Sequence, residues 1–365
     1  MRVLIAPDRF AGTLSAVEAA AAIAEGWRRH APDDELDLAP MSDGGPGFVE
    51  VLHASTGGEL LAMTVRGPYD GQVPGSVLLS DGTAYVESAQ ACGLHLTPEA
   101  DRDPERAGSH GVGELVAAAV DAGASTVVVG LGGSGANDGG AGMLAALGAT
   151  ATPEHALERG PTGLATLDAV DLSGARGRTA GVRLVAAGDV DNPLLGLIGA
   201  TSVHGAHRGL AVDRLPAVDA TLERLAAATD RRVALTRGAG AGGGLGFGLL
   251  LLGATSTPGI DVVSDAVGLA ERARRCDLVV TGEAAFDFQS RSGTVPYAVA
   301  AVAAQALQPC IALAGRVLVG SREMRALGVE SAYAVADLVG EQAGSADPAG
   351  SLAALAERTA RSWSR

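Results

Sequence analysis

Short apolar runs that end in turn residues recur at both ends of the sequence, and they constrain the fold most. Near the N-terminus, residues 3–7 and 35–40 predict two strands. A helix between them begins at Ser15, because Ser15 and Glu18 have the spacing of a capping box, and it stops before Pro32. Far downstream, strands at 278–281, 311–314 and 331–335 alternate with a helix at 295–307. This alternation is typical of a parallel sheet.

Two N-terminal strands are too few for a sheet of their own, so we expect both ends of the chain to build one domain. The middle differs, because short alternating runs between 58 and 96, separated by Gly-Pro and Asp-Gly turns, predict hairpins, and buried strands follow at 126–130 and 184–187. We therefore expect an α/β fold in which a doubly wound, Rossmann-like parallel-sheet domain (1–62 plus 260–365) is interrupted by a second α/β domain with a mixed sheet (63–259). A surface loop is expected at 343–350.

The composition excludes several classes of partner. A net charge of −15 argues against nucleic acid, whose phosphate backbone requires a basic surface. No apolar stretch reaches the ~18 residues that cross a bilayer, and Asp8 comes too early for a signal peptide, so we expect a cytoplasmic protein without a membrane partner. Cysteines 92, 276 and 310 are isolated, which predicts buried thiols. His204 and His207 have no third ligand nearby, which disfavours zinc.

Lysine is absent, since all 27 basic residues are arginine. The absence excludes a Walker A loop, a protein-kinase strand lysine and any Schiff base.

Two glycine-rich segments have the composition of phosphate-binding turns. Residues 130–135 follow a predicted strand and match G-x-G-x-x-G, but Glu154, the acidic residue about 20 positions on, does not end a strand, which weakens the alternative of a nicotinamide oxidoreductase. Asn137 and Asp138 follow beside two glycines, which suits anion binding at a helix N-terminus. Residues 238–246 form the densest glycine run. For both segments, a purely structural turn is the alternative.

Carboxylates stand where predicted strands end, and the carboxyl ends of strands in open α/β sheets face the ligand crevice. Asp8, Asp43 and the pair Asp189 and Asp191 occupy such positions. If the strand at 184–187 continues, alternation places Asp189 and Asp191 on one side, where they could hold Mg²⁺. Glu283 and Asp287 after another strand are further candidates for a base or a metal ligand, with capping as the alternative.

Six segments in this order resemble the bacterial type I glycerate kinases. They are Ile-Ala-Pro-Asp at 5–8 with Gly-Thr-Leu-Ser-Ala at 12–16, Ser-Asp-Gly-Gly at 42–45, residues 132–134 with 137–143, Asp-Val-Asp-Asn-Pro-Leu at 189–194, residues 238–248, and Thr-Gly-Glu at 281–283 with Asp287, Gln289 and Ser290. The resemblance implies phosphorylation of glycerate to a phosphoglycerate with ATP and Mg²⁺. It makes glycerate and nucleotide the partners and leaves a homodimer open.

Under this resemblance, the catalytic candidates are Asp8, Asp43, Asp189, Asp191, Glu283 and Asp287. Substrate and nucleotide contacts are expected from Arg9, Gly44, Gly45, Gly133, Ser134, Asn137, Asp138, Asn192, Gly242, Gly243, Gln289 and Arg291. The metal ion would be bound by Asp43, Asp189 or Asp191, with Asp189 and Asp191 favoured. One carboxylate among Asp8, Glu283 and Asp287 would orient the substrate hydroxyl.

Two lysines of the family pattern are missing from this sequence. Where the family reads Asp-Ser-Phe-Lys-Gly-Ser, this chain has Ala11 in the lysine position, and Thr294 replaces the lysine that follows the glutamine motif. Phosphoryl transfer needs positive charge against the transferred group. Our hypothesis is that Arg9 or Arg291 supplies it. The alternative is a weakened or inactive homologue that binds glycerate or nucleotide as a sensor.

Overall fold

The structure is a computed structural model and describes residues 1–287 and 294–364. The strands are β1 Arg2–Ile5, β2 Glu35–Leu38, β3 Glu59–Arg66, β4 Gln72–Ser80, β5 Thr83–Glu87, β6 Thr126–Gly130, β7 Thr150–Thr152, β8 Ala169–Asp171, β9 Arg183–Ala187, β10 Thr255–Thr257, β11 Leu278–Thr281, β12 Ala285–Phe286, β13 Cys310–Ala314, β14 Arg316–Val317 and β15 Ser331–Ala334.

The helices are α1 Ala16–His30, α2 Phe48–Thr56, α3 Ser88–Cys92, α4 His110–Asp121, α5 Ala141–Ala146, α6 Gly160–Leu164, α7 Ser173–Arg178, α8 Ala200–His204, α9 Leu215–Ala228, α10 Arg231–Ala234, α11 Ala241–Leu251, α12 Gly259–Val267, α13 Leu269–Arg275, α14 Val295–Gln305, α15 Ser321–Ala326, α16 Val335–Val339, α17 Glu341–Ala346 and α18 Pro348–Trp363.

The chain divides into two compact units. The first unit contains Met1–Asp43, Glu50–Thr56 and the described chain from Ile260 onward, and the second contains Gly44–Val49 and Gly57–Gly259. Our expected boundaries were 62/63 and 259/260, so the first boundary lies earlier and the short segment 44–49 groups with the second unit. The Glu87 carboxylate explains part of this grouping, because it accepts hydrogen bonds from the backbone amides of Gly47 and Val49.

The first unit is built on a five-stranded sheet with the order β15-β13-β11-β1-β2, and every neighbouring pair is parallel. The two ends of the chain therefore form one sheet, which confirms the expected α/β architecture. The capping box at Ser15 and Glu18 is also present at the start of α1.

Two helices from opposite ends of the chain pack closely in the first unit. Helix α1 buries Ala19, Ile23 and Trp27, and α18 buries Leu352 and other apolar residues in the same core. At Gly26 the backbones approach so closely that a Cβ atom there would lie 1.9 Å from the carbonyl oxygen of Ala353. Gly26 therefore sets the separation of α1 and α18.

The second unit contains a mixed six-stranded sheet with the order β10-β9-β6-β5-β4-β3. The expected hairpins are confirmed, since β3 pairs with β4 and β4 with β5 in antiparallel fashion, while β5, β6, β9 and β10 are parallel neighbours. Strand β6 is buried along its entire length, as its apolar sequence predicts.

The prediction of a surface loop at 343–350 is wrong. Helix α17 covers Glu341–Ala346, and α18 begins at Pro348 after Asp347, whose side chain caps it by accepting from the Gly350 amide. The alanines of this segment favour helix, and Pro348 occupies the first position of α18, where a missing backbone amide costs little.

None of the helices described here combines the length and apolar character needed to cross a membrane.

Substituting Gly26 tests the close approach of α1 and α18. Although alanine is favoured over glycine by about 1 kcal/mol inside a helix, we expect Gly26→Ala to lower the free energy of unfolding by about 1–3 kcal/mol, because the new methyl group overlaps the Ala353 carbonyl. Gly177→Ala in α7 is the matched control, since a Cβ there meets nothing within 4 Å. The control should be neutral or slightly stabilising in thermal unfolding followed by circular dichroism. A Gly26→Ala variant as stable as the control would contradict the packing argument.

Candidate active site

Carboxylates collect at the carboxyl edge of the parallel sheet in the first unit. Asp8 follows β1, Asp43 follows β2, and Glu283 follows β11. Because β2 lies on one side of β1 and β11 on the other, the sheet changes its winding direction beside β1. Such a switch point is where open α/β sheets bind their ligands. The structure thus brings three of the predicted catalytic residues to one edge of the sheet.

Backbone hydrogen bonds hold the loops that carry these carboxylates. The Asp8 amide donates to the Gly282 carbonyl at 2.8 Å, and the Met41 amide donates to the Pro7 carbonyl at 2.9 Å. The Thr281 hydroxyl adds a bond to the Ala6 carbonyl at 3.0 Å. The loops after β1, β2 and β11 are therefore tied to one another, which fixes the acidic residues in place.

The electrostatics of Asp8 are strongly perturbed. Burial, followed by the negative charges of Asp43 and Glu283, raises the pKa of Asp8 from 3.8 to about 8. The Arg9 amide, which donates to Asp8 Oδ1 at 2.7 Å, and the Arg9 charge oppose this shift only partly. Such a shift, caused by burial and like charges at a ligand edge, is typical of a group that handles protons.

The remaining candidates of the first unit are placed differently. The Arg9 side chain is exposed, and no ion pair joins it to a carboxylate in the described ranges 1–287 and 294–364. Asp287 directly follows β12, which pairs with β14 and not with the parallel sheet. Gln289 and Arg291 lie outside the described residues.

In the second unit, glycine turns meet at the carboxyl ends of β6 and β9. The Gly132 amide donates to the Gly44 carbonyl at 3.0 Å, and a Cβ on Gly132 would lie 2.5 Å from the Gly45 Cα. Gly44 and Gly133 have φ values of 91° and 74°, which favour glycine. Gly44 and Gly45 are buried, so these glycines allow backbone segments to pack together, and the exposed Gly133 is the member of the set that could approach a phosphate oxygen.

The predicted metal pair does not lie on a strand. Strand β9 ends at Ala187, so the condition for placing Asp189 and Asp191 on one side by alternation is not met, and both residues belong to the following loop. Asp189 is half-buried, whereas Asp191 is exposed and forms an ion pair with Arg237. Within 1–287 and 294–364, no three His, Cys, Asp or Glu side chains are arranged to hold a metal ion.

Asp138 is fully buried, and its carboxylate is occupied by donors of the second unit. It accepts from the Ser109 amide at 2.9 Å, the Ser109 hydroxyl at 2.8 Å, the Gly140 amide at 3.0 Å and the Gly142 amide at 3.1 Å. Asp138 therefore fixes the start of α4 and α5. The expected direct contact with an anion gains no support from this geometry, and α5 is only six residues long.

The side chains of Ser134, Asn137 and Asn192 also face protein groups. The Ser134 hydroxyl lies 3.4 Å from the buried Cys92 thiol, and Asn137 donates to the Thr201 hydroxyl at 2.9 Å. Asn192 donates to the Ile198 carbonyl and holds its own loop. The prediction of buried thiols is confirmed, since all three cysteines are buried.

The dense glycine run serves backbone packing. Gly242, Gly243 and Gly244 have φ values of 61°, 71° and 93° and form a left-handed turn at the start of α11. A Cβ on Gly243 would lie 1.8 Å from the Ala136 carbonyl oxygen, and the Gly139 amide donates to the Gly243 carbonyl at 3.1 Å. The alternative of a purely structural turn therefore explains Gly242 and Gly243.

Arg208 is a charged residue that the sequence patterns do not single out. Its guanidinium is buried, its Nε donates to the Ser134 carbonyl at 3.2 Å, and its Nη1 finds no hydrogen-bond partner among the residues that the structure covers. Burial lowers the pKa of Arg208 to about 10. Arg208 braces the loop that carries Gly133. The nearby His204 and His207 raise only the question of a zinc site, and the sequence around them gives no sign that Arg208 is buried.

The shifted pKa of Asp8 predicts a pH-dependent stability. The folded protein keeps the Asp8 proton up to about pH 8, while the unfolded chain releases it near 3.8, so stability falls as the pH rises through this window. Asparagine mimics the protonated carboxyl. We expect Asp8→Asn to be more thermally stable than the natural protein, with a difference in Tm that grows from about pH 5 to about pH 8. A difference that does not change with pH would contradict the assignment.

The buried carboxylate of Asp138 predicts a large structural effect. In Asp138→Asn an amide group would oppose N–H and O–H donors, so we expect a loss of about 3–5 kcal/mol in the free energy of unfolding. Asp171→Asn is the matched control, because Asp171 also accepts from the amide and hydroxyl of one serine, Ser173, but is exposed. Urea unfolding should show less than about 1 kcal/mol for the control. Equal losses in both variants would contradict the role of burial.

Known proteins resemble this chain over nearly its whole length. A model of the glycerate kinase family matches residues 3–364. The glycerate kinase of Bacillus subtilis (strain 168) is 39% identical over 344 residues, which cover 92% of this chain and 90% of that protein. The glycerate 2-kinase of Escherichia coli (strain K12) is 38% identical over 349 residues, which cover 93% and 92%.

A solved structure gives the same result for the fold. The crystal structure of a candidate glycerate kinase 2 from Salmonella typhimurium LT2 is similar with a TM-score of 0.82 at 35% identity, and the match covers 99% of this chain and 98% of that one. The family match, the two relatives and the shared fold lead to one conclusion: this chain belongs to the glycerate kinase family.

Proposed function

We propose that the chain transfers the γ-phosphoryl group of ATP to a hydroxyl group of glycerate, with Mg²⁺, and releases a phosphoglycerate and ADP. Members of its family are kinases that phosphorylate glycerate. The observation that carries the proposal within this chain is the convergence of Asp8, Asp43 and Glu283 at the switch point of the parallel sheet. A site of carboxylates at this edge is suited to orienting a hydroxyl group and accepting its proton.

In this proposal Asp8 is the group that touches the reacting hydroxyl. The hydroxyl oxygen forms a bond to the γ-phosphorus, the bond from that phosphorus to the bridging oxygen of ADP breaks, and the hydroxyl proton moves to Asp8 in the fraction of molecules whose Asp8 carboxylate is ionised. A base whose pKa lies near the working pH is the most effective in such a transfer, and the pKa of Asp8 of about 8 is in that range. Asp43 and Glu283 act by raising it.

The glycine turns of the second unit would bind phosphate oxygens. Gly133 is exposed in this turn, Gly44 and Gly45 pack beneath it as buried backbone, and Arg208 braces the turn through the Ser134 carbonyl. Asp138 has a structural part in the same unit, because it holds the starts of α4 and α5.

The residues also fit a magnesium ion. Mg²⁺ prefers one or two carboxylates together with substrate phosphates and water, so Asp189 and Asp191 in one loop are a sufficient protein contribution. Asp191 would exchange its ion pair with Arg237 for the metal. When bound, the ion neutralises charge on the phosphates.

Phosphoryl transfer needs a positively charged group beside the transferred phosphate. The two family lysines that would supply it are replaced here by Ala11 and Thr294. Arg9 supports this role best among the described residues of the first unit: it follows Asp8 directly, its side chain is exposed, and its charge already lowers the pKa of Asp8. Arginine can bind phosphate through two parallel hydrogen bonds.

The direct test is incubation of the purified protein with ATP, Mg²⁺ and D-glycerate. We expect formation of a phosphoglycerate, and product analysis will identify the hydroxyl that is phosphorylated. Binding of glycerate or nucleotide without product would contradict the kinase proposal and support the sensor alternative. Saturable binding of NAD(P)H would support the oxidoreductase alternative.

Replacing Arg9 tests the source of positive charge. We expect Arg9→Ala to lower kcat/KM by about 100-fold or more, because a charged donor to the transferred group is lost, and Arg9→Lys to retain more activity than Arg9→Ala. Arg2→Ala is the matched control, since Arg2 is also exposed but pairs with Glu35. Unchanged turnover in Arg9→Ala and in Arg291→Ala would show that neither arginine replaces the missing lysines.

A further inference from the structure

The first unit contains a cavity of about 270 Å³ that none of the predicted site residues lines. One wall is formed by Ala284, Gly315 and Ala336, which lie shortly after the ends of β11, β13 and β15. The opposite wall comes from the loop after β1, through Phe10, Ala11 and Thr13. The cavity therefore lies at the carboxyl ends of four parallel strands, where open α/β sheets bind ligands.

The walls of the cavity are preformed by backbone hydrogen bonds. The Gly315 amide donates to the Glu283 carbonyl at 3.1 Å, and the Ala336 amide donates to the Gly315 carbonyl at 3.1 Å, which joins the three strand ends. In the opposite loop, the Thr13 amide and hydroxyl both donate to the Phe10 carbonyl, at 2.8 and 2.9 Å. A ligand would thus enter a site that needs little ordering, which favours affinity.

The chemistry of the lining suits a flat group with apolar faces and polar edges. Phe10, Val335 and Leu352 provide buried aromatic and aliphatic surface. The charged lining groups, Arg316 and Glu341, pair with each other at 3.7 Å and are both exposed. Ligand pockets typically combine apolar walls with a few polar groups and measure roughly 300–1,000 Å³. A small anion such as glycerate would leave the apolar walls of this cavity uncovered.

The cavity is also joined to the carboxylate edge through the chain. Phe10 lies two residues after Asp8, and Ala284 directly follows Glu283. Ala11, at the position of a family lysine, contributes only a methyl group to the lining, so no ammonium group enters the space.

We propose that this cavity binds the nucleoside part of the phosphoryl donor, with the base against Phe10, Val335 and Leu352. The inference rests on the proposed kinase function, since it names the site of that reaction's nucleotide. Because Asp8 and Glu283 begin the segments that form the walls, a nucleoside held here has its phosphates near the acidic edge.

Filling the cavity tests the proposal. Ser345 lines the cavity from the exposed helix α17, so tryptophan in its place occupies the space without disturbing the core. We expect Ser345→Trp to weaken binding of ADP by about 10-fold or more in equilibrium dialysis with Mg²⁺ present, and to raise the KM for ATP while the KM for glycerate stays unchanged. Ser345→Ala leaves the cavity open and should bind ADP normally. Ala343→Trp, on the same helix but outside the lining, is the control for bulk.

A second measurement uses the unchanged protein and does not depend on the folding of a variant. Photo-crosslinking with 8-azido-ATP, followed by peptide mass spectrometry, should label residues within 335–352 or 10–13. Labelling confined to other segments would overturn the proposal, as would ADP affinity that is unchanged in Ser345→Trp or equally reduced in Ala343→Trp.

The outcomes separate this inference from the kinase proposal. If the natural protein forms phosphoglycerate but Ser345→Trp binds ADP normally, the cavity assignment is wrong and the kinase function stands. If ADP binding is lost in Ser345→Trp but the natural protein forms no product, the nucleoside site stands and the kinase function is wrong.

Discussion

The pairing of β1 with β11 is the interaction on which the first unit depends. It aligns Val3 with Leu278 and Ile5 with Val280, so segments from opposite ends of the chain become direct neighbours in one sheet. The Thr281 hydroxyl and the Ala6 carbonyl extend this pairing past the strand ends over a separation of 275 residues. Without it, Asp8 and Glu283 would not share an edge, and the cavity beside Phe10 would lose one of its two walls.

The same pairing concentrates negative charge where water is partly excluded. Asp8, Asp43 and Glu283 repel one another there, and the chain contains no lysine to offset them. A fold optimised only for stability would replace one of these carboxylates. Their presence at a switch point fits a binding site in which cations and a substrate hydroxyl reduce this repulsion. Functional groups are commonly kept at some expense in stability.

Much of the framework could be predicted from the sequence because local signals and the fold agree. The capping box at Ser15 starts α1, and the apolar run of β6 forms a fully buried strand. Glycine-rich segments were harder to interpret, because one composition serves two purposes. Gly133 is exposed at a strand end, whereas Gly44 and Gly243 are buried and allow two backbone segments to touch.

The individual side chains of the site could be predicted less well, because burial depends on tertiary neighbours. Nothing in the sequence indicates that Asp138 receives four donors from two helix starts. Strand alternation suggested a shared face for Asp189 and Asp191, but β9 stops at Ala187, two residues before the pair begins. The burial of Arg208 is unpredictable for the same reason, since no local sequence pattern marks a buried guanidinium.

The sheet order of the first unit has a consequence for synthesis on the ribosome. The sheet of the second unit needs only residues 59–257, so all of its strands have been synthesised before β11 is made. Strands β1 and β2 are translated first but wait for β11, which at about 5–20 residues per second means roughly 10–50 s. During that interval the apolar residues of β1 and α1 have no finished core to enter. The N-terminal segment is therefore the part of the nascent chain with most need of a chaperone.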